Sequence, residues 1–228
     1  MTTYASFAEA VQAKADSTTL AHYVVDTVSS FAEGADVVFD FLTSDAVGSF
    51  CRSLGIRRNW AELTLDEIAP ADRHGLNVVP RGEADKILGL LAALIRDGYL
   101  KPSEGGKPVQ NVLNDFMSEP KTFLDAPTLG HLDEFAYALA VELEHGRERG
   151  QNVTMNHPLL TGMVVLAHLT EDTLYYARLR VMEAEGELFN MQLKRTPYAD
   201  LRDQLALLQY AKSLLAARMD EKLAQASA

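Results

Sequence analysis

The chain has a single cysteine, Cys51, in 228 residues. One thiol excludes any intrachain disulfide, so the fold must rest on its apolar core, and this usage fits a reducing compartment. Cys51 stands at helical spacing with Val47, Phe50 and Leu54, which reads as a small core residue and not as a nucleophile. Positive charge is also scarce: 21 Lys and Arg face 32 Asp and Glu, for a formal charge of −11. Such a balance argues against a protein that neutralises phosphates with clustered cations, so no direct nucleic-acid partner is expected. No apolar run approaches the ~20 residues of a bilayer crossing; the longest, around Ile87 to Ile95, is about half that. The opening Met-Thr-Thr-Tyr-Ala-Ser-Phe-Ala-Glu-Ala lacks a positive region followed by an apolar stretch, so no signal peptide is expected there. Neither Gly-x-Ser-x-Gly nor Gly-x-x-x-x-Gly-Lys-Ser/Thr occurs, and Gly105-Gly106-Lys107 alone is too little to cradle a phosphate. No catalytic residue and no organic cofactor is therefore assigned.

Apolar residues make up 47% of the chain, too many for disorder. They recur at helical spacing. Tyr4, Phe7, Ala8 and Val11 form one stripe. Leu20, Tyr23, Val24, Val28 and Phe31 form a second, between the cap at Asp16-Ser17 and the stop at Gly34. Ser44-Asp45 opens a short helix that Gly55 ends. Gly82 to Asp97 carries Ile87, Leu90, Leu91, Leu94 and Ile95 on one face, with Gly98 as its stop. Lys101-Pro-Ser-Glu-Gly-Gly-Lys-Pro108 can hold neither helix nor central strand, so it is a linker or a hairpin tip. Read as a wing after a helix, it would suggest a winged-helix regulatory protein, although few cations accompany it. Val109 to Met117 can form one more short helix. Helical spacing resumes at Thr128, with Phe135, Leu139 and Leu143 on one face up to Gly146. After a polar loop, Asn156 is placed to cap a helix with Pro158 in its first turn, running to about Glu187. Pro197 starts the last helix, whose leucines recur at a spacing near 3.5, as in a packed or partnered helix; its tail is expected to fray after Leu223. The reading is an all-α, bundle-like protein: an N-terminal helical domain over 1–100, a connection over 101–127, and a C-terminal domain over 128–228 built on a long hairpin and a terminal helix.

Polar residues interrupt that hairpin. Glu142 and His145 lie three apart, as do His168 and Glu171, and His131-Leu-Asp-Glu134 nearly repeats His168-Leu-Thr-Glu171. Residues three apart share a helix face, and Glu-x-x-His is how di-iron and di-manganese bundles present half of each site. His131, Glu134, Glu142, His145, His168 and Glu171 are thus candidate ligands for iron, manganese or zinc. An antiparallel hairpin of equal rise would bring His131 and Glu134 near His168 and Glu171, and leave His145 about 15 Å from His168. The other reading of these residues is a polar network that fixes the hairpin, with Glu144, Tyr175 and Tyr176 as further members.

Leu-Glu-His-Gly (143–146), Asn-Val-Thr (152–154), Thr161-Gly162, Ala-His-Leu-x-Glu (167–171), Tyr175-Tyr176, Arg178-Leu179 and Met182-Glu183 together resemble a small uncharacterised helical domain. That domain occurs in bacterial and bacteriophage proteins, often beside virion or prohead components. The likeness spans about Phe135 to Glu185. It departs at Met155, Asn156 and His157, where acidic residues are usual, and at Met163, where a lysine is usual. The resemblance implies a non-enzymatic structural or assembly protein of a phage or prophage. It would act through contacts with its own copies or with other virion proteins, in the host cytoplasm or within a virion. The alternative is a ferritin-like or haemerythrin-like metal-binding bundle.

Overall fold

The computed structural model describes residues 4–64, 79–100, 131–145 and 154–227, leaving aside the side chains of His131, His145 and Gln225. Eight α-helices and two short 3-10 turns make up the described residues, which include no strand. The fold is all-α. No described helix is long and apolar enough to cross a membrane. The connection expected over 101–127, with its wing and its short helix, lies outside the described residues.

Helix α1 (Phe7–Gln12) starts where Ser6 accepts the Glu9 amide. Helix α2 (Ser17–Ala32) is capped by Asp16, whose carboxylate accepts the Thr19 amide at 2.7 Å, as the sequence suggests. Beyond its end Gly34 adopts φ +90°, open to glycine without strain. A 3-10 turn over Asp40–Leu42 leads to α3 (Ser44–Ser53), which is capped by Thr43, one residue before the expected start. A second such turn over Trp60–Glu62 buries Trp60. There Glu83 acts as a clamp: its carboxylate accepts the Trp60 indole N–H at 3.1 Å and the Arg57 amide at 3.3 Å.

Helix α4 (Arg81–Arg96) joins the two halves. It packs on α2 at one side and on α5 (His131–His145) and α6 (Pro158–Glu171) at the other. Ile87, Leu91 and Leu94 are wholly buried in a core that continues through Phe135, Leu139, Leu159 and Val165. The residues before 100 and after 131 therefore share one core. Gly162 makes the α4–α6 approach possible, because a Cβ there would stand 2.8 Å from Ile87 Cγ2 and 3.2 Å from Leu91 Cδ1.

Three sequence expectations need correction. The helix expected from Pro158 to about Glu187 is two helices, α6 and α7 (Tyr175–Leu193). Asp172 takes an extended conformation, and its side chain accepts the Leu174 amide at 2.9 Å, which turns the chain. Arg178 pairs with the same carboxylate at 3.0 Å. The cap of α6 also differs: His157 holds the cap position without a side-chain bond, and Asn156 precedes it at φ +56°. Helix α8 (Tyr198–Ala226) continues past Leu223 instead of fraying there.

Helices α7 and α8 form an antiparallel pair with more mutual contact than any other two elements. Their turn closes through Thr196, whose amide bonds the Met191 carbonyl at 3.0 Å, while Arg195 takes φ +54° without a glycine. Beyond Tyr176 the pair keeps only marginal contact with the core, through Leu179 of α7. No described side chain from Ala177 to Leu207 is buried.

Candidate functional site

The polar residues on α5, α6 and α7 meet in a clasp. Tyr176 donates its hydroxyl to Glu142 Oε1 at 2.8 Å. His168 Nε2 lies 3.8 Å from the same oxygen, beyond hydrogen-bonding distance but within reach of an ion pair when the ring is protonated. The His168 ring stacks on Tyr175 at 4.3 Å and meets Tyr176 edge-on at 6.2 Å. Burial, and then the Glu142 charge, push the Tyr176 hydroxyl far above its ordinary range, so it stays a donor. His168 thus meets Tyr175 and Tyr176, two expected members of a polar network, while its approach to Glu142 is one that the equal-rise hairpin did not anticipate.

Glu134 does not join His168 and Glu171 as expected, and the side chain of His131 lies outside the described residues. His168 meets Glu142, about two helical turns nearer the loop than an equal-rise hairpin places it. The residues before α6 explain the offset. Asn156 and His157 are wholly buried, and the Asn156 amide donates to the Trp60 carbonyl at 3.2 Å. His157 packs between Phe50, at 4.4 Å, and Phe41, at 5.8 Å. The start of α6 is anchored in the N-terminal half, so it does not swing freely on a symmetric loop.

Glu134 goes elsewhere. Its carboxylate pairs with Arg218 Nε of α8 at 2.8 Å, and Arg218 also bonds Glu221. A guanidinium already occupies the place a cation would take. Glu171 is exposed at the end of α6. Glu144 adds its charge to the surroundings of Tyr137, whose hydroxyl donates to Glu183 at 3.2 Å and whose ring lies under Arg180 at 4.7 Å. The side chains of His131 and His145 lie outside the described set. Among the described residues, no three of His, Cys, Asp or Glu stand together as a metal group would require. The clasp thus ties α5 to α7 through the Tyr176–Glu142 hydrogen bond and sets the His168 ring against both tyrosines.

The sequence reading missed the Arg218–Glu134 pair, the Glu83 clamp and the burial of His157. Only Arg218 carried a signal: it continues the spacing of Gln204 and Ala211 along the inward side of α8. His157 has no hydrogen-bond partner on either ring nitrogen, and burial lowers its pKa to about 3. Cys51 is buried as expected, and burial raises its thiol to about 11.

Residues 100–185 match the model of a family described as proteins of unknown function (DUF5661). The match takes in α5, α6 and the first half of α7, hence the clasp and the buried turn before α6. Helices α1 to α4, the outer part of the α7–α8 pair and Arg218 fall outside it. No curated protein and no solved structure matches the chain.

The remaining feature is the outer surface of the α7–α8 arm. Met182, Phe189 and Leu193 recur seven and four residues apart along α7, with Phe189 57% and Leu193 67% exposed. Tyr198, Leu205 and Met219 recur at multiples of seven along α8, and all three are exposed. Isolated apolar residues on a surface are ordinary; rows of them at helical spacing mark a contact surface.

Proposed function

We propose that this protein is a non-enzymatic assembly protein that works by self-association through the α7–α8 arm. The observation that carries this reading is the arm itself. It is a two-helix projection with no buried side chain from Ala177 to Leu207 and with rows of exposed Phe, Leu, Met and Tyr. A helix pair of this kind has little core of its own, and helices in proteins draw most of their stability from packing an apolar face. A second copy supplies that packing. The seven-residue recurrence of Tyr198, Leu205 and Met219 suits a helix–helix seam. A structural role in a phage or prophage particle agrees with this mode of action and with the resemblance of the clasp region.

The test uses the chemistry of Cys51. Because that thiol is buried and held protonated, a Leu205→Cys variant presents one reactive thiol. A short bismaleimide should then link two copies into a species of twice the chain mass under denaturing conditions. Only single chains at high protein concentration would count against the arm as the contact.

The metal-bundle reading has a weaker basis, the proximity of His168 and Glu142 alone. Elemental analysis of the purified protein, beside a His168→Ala and Glu171→Ala variant, decides it: stoichiometric metal lost in the variant would favour the bundle.

A further inference from the structure

A cavity of about 430 Å³ opens along α2, distinct from the arm and from the clasp. Its size falls in the range of small-ligand sites, roughly 300–1,000 Å³. Tyr4, Asp16, His22, Tyr23, Asp26 and Tyr99 line it together with several hydroxyl side chains, and no lysine or arginine is among the lining residues.

Each acidic group is in its charged form or open to a partner. The Asp16 carboxyl lies below its ordinary range because it accepts the Thr19 backbone N–H, so it is ionised at neutral pH. Asp26 is exposed on the wall and makes no hydrogen bond or ion pair with any described residue. The aromatic side is equally built. His22 stacks face to face on Tyr99, with ring centroids 3.7 Å apart and planes 8° from parallel. Tyr23 is fixed by its hydroxyl, which donates to Asp40 at 3.3 Å. His22 is 8% exposed, and its Nε2 has no hydrogen-bond partner. A buried imidazole nitrogen without a partner is costly and calls for an explanation, such as a group that fills the site.

We propose that this cavity binds a small organic cation: a protonated amine carried on a compact apolar body. The ammonium would sit beside Asp26, whose carboxylate faces no lysine or arginine among the lining residues; Asp16 lies about 15 Å away along the same helix. The body would lie against the tyrosine rings, whose faces favour positive charge nearby. An anion would meet only like charge here. A neutral apolar molecule would gain nothing from the Asp26 charge.

The test is calorimetric titration of the full chain with 2-phenylethylamine at neutral pH, followed by proton NMR of the His22 ring. Binding should saturate at one equivalent with Kd of about 1 mM or tighter, and the His22 resonances should shift. The uncharged isostere 2-phenylethanol should bind roughly ten-fold more weakly, and so should the amine to Asp26→Asn. Asp26 is exposed on a helix, so this variant keeps its fold, which circular dichroism checks. Tyr99→Phe should retain binding, because it keeps the stacked ring. No saturation up to about 10 mM would overturn the proposal. So would equal affinity for amine and alcohol, an unchanged Asp26→Asn, or binding that leaves the His22 resonances in place.

Discussion

At the scale of single residues, His157 is the most consequential side chain that sequence reading undervalued. As the last residue before Pro158 it looks like part of a polar loop. In the fold it is wholly buried between Phe41 and Phe50, and both ring nitrogens lack a partner. Burial lowers its pKa to about 3, against an ordinary value of 6.5. The unfolded chain therefore binds a proton between those values and the folded chain does not. Stability is full above pH 6.5 and falls as pH drops toward 3, by about 1.4 kcal/mol per unit. Urea unfolding at pH 7 and pH 5 should show this loss, and a His157→Leu variant should lose about 2 kcal/mol less than the wild type over that interval. Equal losses in both proteins would mean that His157 is not buried neutral. The Glu134–Arg218 pair supplies a second residue-scale expectation. Its side chains are 8% and 15% exposed. Arg218→Met should destabilise the fold by about 3–5 kcal/mol, because it takes the cation away from a buried carboxylate. The same change should cost far less in a Glu134→Gln background, and chemical denaturation of the two variants measures the difference.

At the scale of elements, helical periodicity was enough to find α2, α3 and α4 within a residue or two, and the start of α8. The apolar stripes and their Asp, Gly and Pro punctuation are local signals. The break between α6 and α7 was not legible, since Asp172-Thr-Leu contains neither glycine nor proline. It arises because the Asp172 side chain outcompetes the helix for the Leu174 amide. The clasp was half legible. Spacing singled out Glu142, His168, Tyr175 and Tyr176 but not that Glu142 and His168 meet, because the register of α5 against α6 depends on where Asn156 and His157 are anchored, a long-range contact that no local pattern encodes. Gly162 shows the same dependence. It sits in a helix with an ordinary conformation, yet a Cβ would meet Ile87 at 2.8 Å and Leu91 at 3.2 Å. Gly162→Ala should therefore destabilise by about 1–2 kcal/mol, with the clash outweighing the gain in helix propensity. Thermal unfolding of this variant checks it. Gly186→Ala is the control: it has open space around it and should stabilise by about 0.5–1 kcal/mol.

At the scale of the whole molecule, two regions with different physics are joined. Helices α1 to α6 and the start of α7 enclose one apolar core that runs through α4. Past Tyr176 the α7–α8 pair buries only Leu208, Ala211 and Leu214 of α8 among its described side chains, and none from Ala177 to Leu207 is buried. Cross-links such as Lys212–Glu185, at 2.7 Å, and Gln204 to the Ala184 carbonyl, at 3.1 Å, hold it together. Composition announced neither region. An acidic, helix-rich sequence looks alike whether its apolar stripe faces its own core or another chain, and only the burial of one stripe and exposure of the other separates them. That contrast is the basis of the self-association proposed here. The most direct measurement is the mass in solution by sedimentation equilibrium, across a concentration series, for the wild type and a Phe189→Glu, Leu205→Glu variant. The account predicts a mass above the 25.1 kDa of one chain, rising with concentration, and a variant that stays folded at the mass of one chain. A wild type that remains at one chain mass throughout, or a variant that associates as the wild type does, would contradict it.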